Sequence, residues 1–398
     1  MVTGHGRLPV ALLGTVMTAS SALRVTTVRP GPLRWRHSHG FYERHAHPGD
    51  GAMGEVLDHE AMSAYLLPGL KIRAKAWRIL YRSSRLSGEA TTVSGTIMVP
   101  RKKARGVVAY AIGTHGLANY SAPSRLIARG LEWEAPLLAN LLSMGYAVVM
   151  TDYEGLGTPG DHPYVIGRTL GRNVLDSLRA ALAFAPAGLE ASLPLGVIGY
   201  SEGGNSSAWA AELHPQYAPE LKLAGIVSGS VPADLETAGE HIDGSMYAFF
   251  AGYGALGLNA AYPELNLDGY LTPLGEKRLH RLRRTSVVTA AVRGPHFVGV
   301  DDLMTENVLK LPRWQARMRE NKLGGMAPTA PVYLYTSTRD PLVPPAQTRN
   351  LANEWRELGA DVTLHEVPAI DHVTGFALGS HQATRWLNRQ LRKAGRGL

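Results

Sequence analysis

The stretch "LPLGVIGYSEGGNSSAWAAELHP" (Leu193–Pro215) carries an apolar run into a serine among glycines and then directly into a helical pattern. Gly199, Gly203 and Gly204 surround Ser201, which is more glycine than the end of a strand requires. Glycines crowd a serine where a tight, strained turn between strand and helix leaves no room for a Cβ atom. The stretch therefore predicts an exposed Ser201 hydroxyl near a helix N-terminus, where developing negative charge is favoured. The alternative is an ordinary turn with an N-capping serine.

Short apolar runs alternate with helical patterns along the rest of the chain. The predicted strands are residues 93–99, 106–113, 145–152, 195–200, 223–230, 331–337 and 361–367. The clearest helical patterns lie between them, at residues 171–185, 205–213 and 346–360. Nearly continuous apolar strands separated by helices are typical of a parallel sheet that is covered on both faces. The sequence thus predicts an α/β fold with a mostly parallel central sheet.

Residues 231–326 interrupt this alternation. They contain helical stretches separated by Gly, Pro and Asn, and an aromatic-rich patch at residues 246–265, but no convincing strand. A long insertion between two strands of a sheet is a frequent way to build part of a functional site. We predict that residues 231–326 form a helical cap over the site, the alternative being peripheral helices with no bearing on it.

Asp340 is the predicted partner acid. A serine hydroxyl is a poor nucleophile without a base, and the base needs a carboxylate that orients it. Asp340 follows the predicted strand 331–337 in "TSTRDPLVPP", at the sheet edge where Ser201 also emerges, and three prolines stiffen its loop. The alternative is a turn-forming Asp before a proline.

His372 is the predicted base. His365 lies inside a predicted strand and His381 lies within the last helical pattern, whereas His372 falls in the loop after a strand. The alternative is a packed or solvated histidine. Asp371, beside it, is expected to be a loop acid, because adjacent side chains usually diverge.

Two backbone N–H groups are needed to bind the oxyanion of a tetrahedral intermediate. The amide of Glu202, the residue after the nucleophile, is one predicted donor. The other is expected in "GTHGLANYSAPS" (113–124), after the strand 106–113. We predict the His115 amide, with Thr114 as the second choice, and expect the His115 side chain to be a loop residue.

The composition excludes several classes of protein. The chain has 398 residues, 45% of them hydrophobic, and a formal charge of +8. Five arginines and no acid lie in residues 1–40, which leaves only +3 for the rest and argues against nucleic-acid binding. The absence of cysteine removes disulfides and thiolate chemistry. The chain contains no run of 18 apolar residues, so the sequence predicts no transmembrane helix.

Residues 1–40 are predicted to be a leader and an Arg/Pro linker, and residues 41–398 the folded domain. Residues 1–22 resemble a signal peptide, with Arg7 before an apolar stretch and small residues after it. Secretion or a cell-surface location is therefore expected, a cytoplasmic protein with a disordered start being the alternative. The histidines at positions 37, 39, 45 and 47 have spacings that can bind zinc, but we expect solvent exposure and no metal or cofactor.

These motifs make the chain similar to the secretory lipase family from about Phe41 to the C-terminus. The most specific shared block is "DYEGLGTPGDHPYVIGR" (152–168), beside "GYSEGG", "SVPADL", "RDPLVP" and "DH". The resemblance implies an α/β-hydrolase with a helical cap, acting on triacylglycerols or other long-chain esters. It places the triad on Ser201, Asp340 and His372, and the oxyanion donors on Glu202 and His115.

The chain departs from that family at three positions. Ser121 and Asn119 stand where members often have cysteine and an acid, and His115 stands where glutamine is usual. Asp152 and Glu154 precede the serine and are expected to order the loop beside the site, without a catalytic role.

The sequence thus predicts a serine carboxylic-ester hydrolase that forms an acyl-enzyme and requires no cofactor. Its expected partners are an ester or lipid substrate and a lipid–water interface. An acyltransferase or peptidase with the same triad is the alternative function. A third class, a ligand-binding protein without catalysis, is disfavoured by the intact serine, aspartate and histidine.

Overall fold

The computed structural model describes residues 39–396. The predictions for residues 1–38, including the signal peptide and His37, lie outside the described residues. The strands are β1 (Val56–Met62), β2 (Tyr65–Leu67), β3 (Leu70–Lys71), β4 (Ala74–Ser84), β5 (Ala90–Pro100), β6 (Val107–Ala111), β7 (Ala147–Tyr153), β8 (Leu195–Tyr200), β9 (Leu223–Gly229), β10 (Val332–Ser337) and β11 (Val362–Val367).

The α-helices are α1 (His39–Glu43), α2 (Pro123–Ile127), α3 (Ala135–Ser143), α4 (Gly167–Ala183), α5 (Glu202–Tyr217), α6 (Leu235–Ile242), α7 (Ala248–Ala261), α8 (Pro273–Leu282), α9 (Val287–Arg293), α10 (Val300–Leu303), α11 (Pro312–Glu320), α12 (Pro345–Glu357) and α13 (His372–Ala394). Short 3₁₀ helices lie at Asn119–Ser121, Ala185–Ala187, Pro263–Leu265, Leu267–Tyr270 and Val308–Lys310.

Nine strands form one sheet in the order β1-β4-β5-β7-β6-β8-β9-β10-β11, and β2 pairs with β3 in a separate antiparallel ribbon. The six strands from β7 to β11 along this order are parallel to their neighbours, while β1, β4 and β5 form an antiparallel margin. Strands β6, β7, β8 and β10 are buried along their whole length, as apolar strands covered on both faces must be. The predicted α/β fold with a mostly parallel sheet is confirmed.

Helices α4 and α5 pack against the sheet and against each other. Their close approach depends on Gly171, where a Cβ atom would lie only 2.8 Å from the backbone nitrogen of Ala210. Helix α13 packs on β9 and β10. Because parallel strands end at a common edge, the carboxyl ends of β6, β8, β10 and β11 lie together, and the predicted site residues follow these strand ends.

Between β9 and β10, the described chain forms helices and no strand. We call residues 231–326 the helical segment. It has its own apolar core, in which Phe249, Tyr253, Leu279 and Trp314 are buried. The loop before α4 joins this core through Tyr164, because helix α7 places Gly257 directly against the Tyr164 backbone. That the helical segment acts as a cap stays a prediction.

Candidate active site

Ser201 lies between β8 and α5 with φ 60° and ψ −120°. A non-glycine residue rarely adopts a positive φ, and such strain persists where the surrounding structure enforces it. Two backbone hydrogen bonds hold the turn: the Ser201 N–H donates to Gly229 O on β9, and the Asn205 N–H donates to Ser201 O, both at 2.9 Å. The turn leaves Ser201 partly exposed at the carboxyl end of β8.

The three glycines around Ser201 allow this turn to pack. A Cβ atom on Gly199 would collide with Gly203 O, one on Gly203 with Ala111 O, and one on Gly204 with Gly229 O. All three obstacles are backbone atoms, which cannot rotate away. The glycines are thus required by close backbone contacts between α5 and the ends of β6, β8 and β9.

Asp340 and His372 form a hydrogen-bonded pair at the same edge of the sheet. The His372 Nδ1 lies 2.6 Å from Asp340 Oδ2. The other carboxylate oxygen, Oδ1, accepts hydrogen bonds from the Leu342 and Val343 N–H groups, each at 2.9 Å. Burial alone would raise the pKa of Asp340, but the His372 ring and these N–H groups outweigh it and hold the pKa below its ordinary value.

His372 is the first residue of α13, and not a residue of the preceding loop as the sequence predicted. Asp371 is the N-cap of this helix, because its Oδ1 accepts the Thr374 N–H at 2.8 Å. Asp371 thus has a structural role, which is to cap the N-terminus of α13. The other two histidines considered remain apart from the pair: His365 lies in β11 and His381 within α13.

Tyr200, which precedes the serine, connects the serine turn to His372. Its hydroxyl donates to His372 O at 2.7 Å and accepts from Ser230 Oγ at 2.8 Å. The two ring centroids of Tyr200 and His372 are 4.8 Å apart. Tyr200 therefore connects the backbone of the Ser201 turn to His372. No hydrogen bond joins the Ser201 hydroxyl to His372 within the described residues. Such bonds are often loose in unliganded enzymes.

The two predicted amide donors lie on adjoining backbone segments. Glu202 is the first residue of α5, and the loop that carries His115 follows β6. These segments adjoin because the Ala111 and Ile112 carbonyls approach Gly203 closely. Thr114, the second choice, has a hydroxyl 2.9 Å from the Tyr164 hydroxyl.

The His115 side chain belongs to a buried acidic cluster that sequence reasoning missed. Its Nδ1 is 2.8 Å from Gly113 O, and its Nε2 is 2.9 Å from Glu132 Oε2, at an angle outside hydrogen-bond geometry. Glu134 accepts the Gly113 N–H at 2.8 Å and the Tyr110 hydroxyl. The only signal in the sequence was the alternation of acids in "EWE" (132–134), which does not name a partner.

Charge and burial act against each other in this cluster. Burial disfavours a charged imidazole, but the carboxylates of Glu132 and Glu134 outweigh it and raise the pKa of His115 to about 9. Burial, together with the charge of Glu132, raises the pKa of Glu134 to about 7. The His115 ring also stacks on Trp133, with centroids 5.3 Å apart. The loop that carries the predicted amide donor is thus anchored by a buried ion pair.

An apolar cavity opens beside Ser201 and extends into the helical segment. Its empty space, part of which is open to solvent, measures about 1030 Å³, and its walls are almost entirely apolar. Representative lining residues are Tyr164, Leu235, Phe250, Val298, Leu303 and Trp314. A cavity of this kind suits a long hydrocarbon chain better than a polar ligand.

The acids of the "DYEGLG" stretch make loop contacts. Asp152 is fully buried and accepts Ser94 Oγ at 2.7 Å, the Ser124 N–H at 2.8 Å and the Ser124 hydroxyl. Its pKa is raised to about 6 by burial. Glu154 pairs with Arg85 at 3.3 Å. These contacts join the loop after β7 to neighbouring segments.

Two further features concern only residues 39–396. Within this range, no group of three or more His, Asp or Glu side chains is arranged to hold a metal ion. No helix in the same range is long and apolar enough to span a bilayer.

The parallel sheet, the strained serine turn after β8 and the Asp–His pair after β10 and β11 define the chain as an α/β-hydrolase. The chain belongs to the secretory lipase family, whose family model matches residues 121–396. The predicted family is confirmed, and with it the class of enzyme, because lipases and esterases are hydrolases.

Individual relatives agree with this assignment. The chain is 30% identical over 327 residues to a protein of Mycobacterium tuberculosis named a "probable inactive lipase", covering 78% of this chain and 72% of that protein. It is 27% identical over 356 residues to a secreted triacylglycerol lipase of Malassezia restricta, covering 84% and 73%. The fold matches that of Candida antarctica lipase A with a TM-score of 0.81 at 22% identity, over 89% of this chain and 85% of that one.

Proposed function

We propose that this protein hydrolyses triacylglycerols or other long-chain carboxylic esters through a covalent acyl-Ser201 intermediate. One observation carries the proposal: the 2.6 Å bond between His372 Nδ1 and Asp340 Oδ2 lies at the sheet edge where the strained Ser201 turn also emerges. A serine with an adjacent imidazole, itself oriented by a carboxylate, is the arrangement that activates a hydroxyl for attack on an ester.

In the first half-reaction, Ser201 Oγ attacks the ester carbonyl carbon and its proton passes to His372 Nε2. Asp340 keeps the proton of the ring on Nδ1, so that Nε2 is free to accept, and stabilises the imidazolium that forms. The amides of Glu202 and His115 donate to the oxyanion of the tetrahedral intermediate. The intermediate then collapses, His372 returns the proton to the leaving alkoxide, and the alcohol departs.

In the second half-reaction, water replaces the alcohol. His372 Nε2 takes a proton from the water as its oxygen attacks the acyl-enzyme carbonyl, and the same amides receive the oxyanion. Collapse of this second intermediate breaks the bond to Ser201 Oγ, which regains the proton from His372. The net result is one ester and one water converted to one acid and one alcohol.

The cavity supports a long-chain substrate. It reaches Ser201 and its walls are apolar, as a site for an extended acyl chain requires. The relative from Malassezia restricta is named a triacylglycerol lipase, and its name as a secreted protein supports a secreted location for this chain. The lipid–water interface is then the expected site of action.

Turnover of p-nitrophenyl esters from acetate to palmitate, beside emulsified triolein, tests the proposal. Wild type should hydrolyse the longer esters and triolein, and Ser201→Ala should lose activity by about a million-fold or to background. Ser143→Ala, which changes an exposed serine at the end of α3, is the matched control and should retain full activity. Wild-type activity confined to acetate would contradict the long-chain proposal, and activity retained in Ser201→Ala would contradict the nucleophile.

Because one relative is named a probable inactive lipase, the activity of this chain on esters should be measured first. If wild type hydrolyses no ester, the same protein should be offered an alcohol acceptor with an activated ester and, separately, a peptide. Transfer or peptide cleavage that depends on Ser201 would favour the acyltransferase or peptidase alternative.

A further inference from the structure

Helix α9 presents an apolar surface to solvent. Val288 is 50% exposed and Val292 is 72% exposed, and because they are four residues apart they lie on the same face of the helix. Phe297, just beyond the helix, is 71% exposed. Scattered exposed apolar residues are ordinary, but three on one short stretch of chain form a patch.

Phe297 is held in this position at a conformational cost. Its φ is 55°, in the left-handed region that bulky residues avoid. The Phe297 N–H donates to Ser245 O at 2.8 Å, and the preceding His296 places Nδ1 2.7 Å from Met246 O. These bonds fix the backbone so that an aromatic ring points into water beside Met246, itself 39% exposed. Strain of this kind is concentrated at binding and switching sites.

The chain around the patch is basic. Residues 277–297 contain six lysines and arginines and no acid. Arg281, Arg284 and Arg293 are exposed, and none of them forms an ion pair within the described residues. We name Val288, Val292 and Phe297, together with these three arginines, the α9 surface. An apolar face flanked by unpaired cations is the chemistry that binds an anionic lipid surface.

The α9 surface is continuous with the site. The Val287 N–H donates to His115 O at 2.9 Å, so the helix begins on the loop that carries the predicted amide donor. On the other side of the patch, Val298 lines the cavity that reaches Ser201, while its neighbour Phe297 faces solvent. A lipid bound at Phe297 would therefore be one residue away from the cavity wall.

We propose that the α9 surface docks the protein on anionic lipid surfaces, with Val288, Val292 and Phe297 entering the apolar layer and Arg281, Arg284 and Arg293 contacting acidic headgroups. The inference rests on the proposed function in one respect: docking there would bring the acyl chains of the substrate to the mouth of the cavity. Binding itself requires no turnover.

The test uses the full chain with Ser201→Ala, so that lipid is not consumed, and vesicles of phosphatidylcholine with or without phosphatidylglycerol. Cosedimentation should show stronger partition to the vesicles that contain phosphatidylglycerol. Arg284→Gln with Arg293→Gln should reduce partition to these vesicles by about tenfold. Arg101→Gln with Lys102→Gln removes the same charge from two exposed residues before β6, at the opposite edge of the sheet, and should leave partition unchanged.

A second pair of variants separates docking from folding. Val292→Asp should reduce partition by about tenfold, whereas Leu358→Asp, at a residue 49% exposed before β11, should not. Phe297→Asn should also weaken partition while leaving the melting temperature equal or higher, because asparagine tolerates a positive φ.

The proposal is overturned if the Ser201→Ala parent shows no preference for phosphatidylglycerol, or if the Arg101/Lys102 control weakens partition as much as the Arg284/Arg293 variant. It is also overturned if the α9 variants bind like the parent, which would leave the patch to a protein partner. Because partition is measured on Ser201→Ala without hydrolysis, its failure is distinct from failure of the proposed function, which is measured as turnover of p-nitrophenyl esters in the absence of vesicles.

Discussion

His162 Nε2 lies 2.7 Å from Glu202 Oε1, and Glu202 is the residue that directly follows Ser201. Both side chains are buried, and the second ring nitrogen of His162 lies 2.8 Å from Glu154 O. The ring of His162 thus bridges the Glu154 backbone and the Glu202 carboxylate. The pair therefore fixes the first turn of α5, which carries the proposed amide donor.

Loss of this pair should loosen that amide. We expect Glu202→Ala to lower kcat about tenfold with little change in KM, because the backbone donor acts on the oxyanion and not on the bound ester. Glu202→Gln should retain most activity, because its amide has the same reach and can still hydrogen-bond the His162 ring. Steady-state kinetics on p-nitrophenyl butyrate would measure both. Equal losses in the two variants would show that charge, and not position, is what Glu202 supplies.

The Asp340–His372 bond predicts a large kinetic effect from a small substitution. Asp340→Asn preserves the shape of the side chain but offers an amide where Nδ1–H needs an acceptor, so the ring should adopt the wrong tautomer. We expect kcat to fall by about ten-thousandfold. Circular dichroism and the melting temperature check that the fold is kept. A variant with more than about a tenth of wild-type kcat would remove Asp340 from the proposed mechanism.

The cavity wall predicts a change in chain-length preference. Gly254 lines the cavity, and a Cβ atom added there would meet no atom within 4 Å. Gly254→Leu should therefore fill space without a clash and lower kcat/KM for palmitate relative to acetate by about tenfold, since each excluded methylene forfeits binding energy. Gly325→Leu is the control, because a Cβ atom there also meets no atom within 4 Å and Gly325 does not line the cavity. An unchanged ratio in Gly254→Leu would place the acyl chain elsewhere.

The His115–Glu132 pair predicts a pH dependence of stability. The pKa of His115 is raised from 6.5 to about 9, so the bound proton stabilises the fold fully below pH 6.5, and this stabilisation is lost as the pH rises through about 9. Across this window the free energy of unfolding of wild type should fall by about 2 kcal/mol more than that of His115→Gln. Urea denaturation at several pH values measures this difference.

His381→Gln, an exposed histidine in α13, serves as the control and should behave like wild type. If His115→Gln and wild type lose stability in parallel between pH 6.5 and 9, the buried pair does not hold the extra proton.

The features of this protein that can be predicted from its sequence are those that steric contacts between residues close in the chain determine. Gly199, Gly203 and Gly204 identify the serine turn because each contacts backbone that no other residue could approach, and the constraint is visible within six positions. Apolar runs identify β5 to β10 because these strands are largely buried, and a strand buried on both faces is apolar nearly throughout.

What could not be predicted depends on distant partners. Strand β4 is not predicted because polar residues interrupt it, among them Arg82, which is buried and donates to the carbonyls of Pro48, Gly49 and Asp50. The contact between His162 and Glu202 joins residues forty positions apart, and nothing local in either segment specifies the other. The outward ring of Phe297 violates the local backbone preference of phenylalanine, so no propensity argument leads to it.

Tyr200 has a mechanical consequence. Its backbone is continuous with Ser201, and its hydroxyl holds the first residue of the helix that carries the proposed base. Ser230, anchored to β10 through its N–H bond to Tyr335 O at 2.7 Å, holds the tyrosine in turn. Tyr200 thus connects the proposed nucleophile and the proposed base through its own backbone and one hydrogen bond. We therefore expect the motion that admits a bulky substrate to occur in the helical segment. Substitutions in that segment should change the slow steps of turnover and leave the positions of Ser201 and His372 undisturbed.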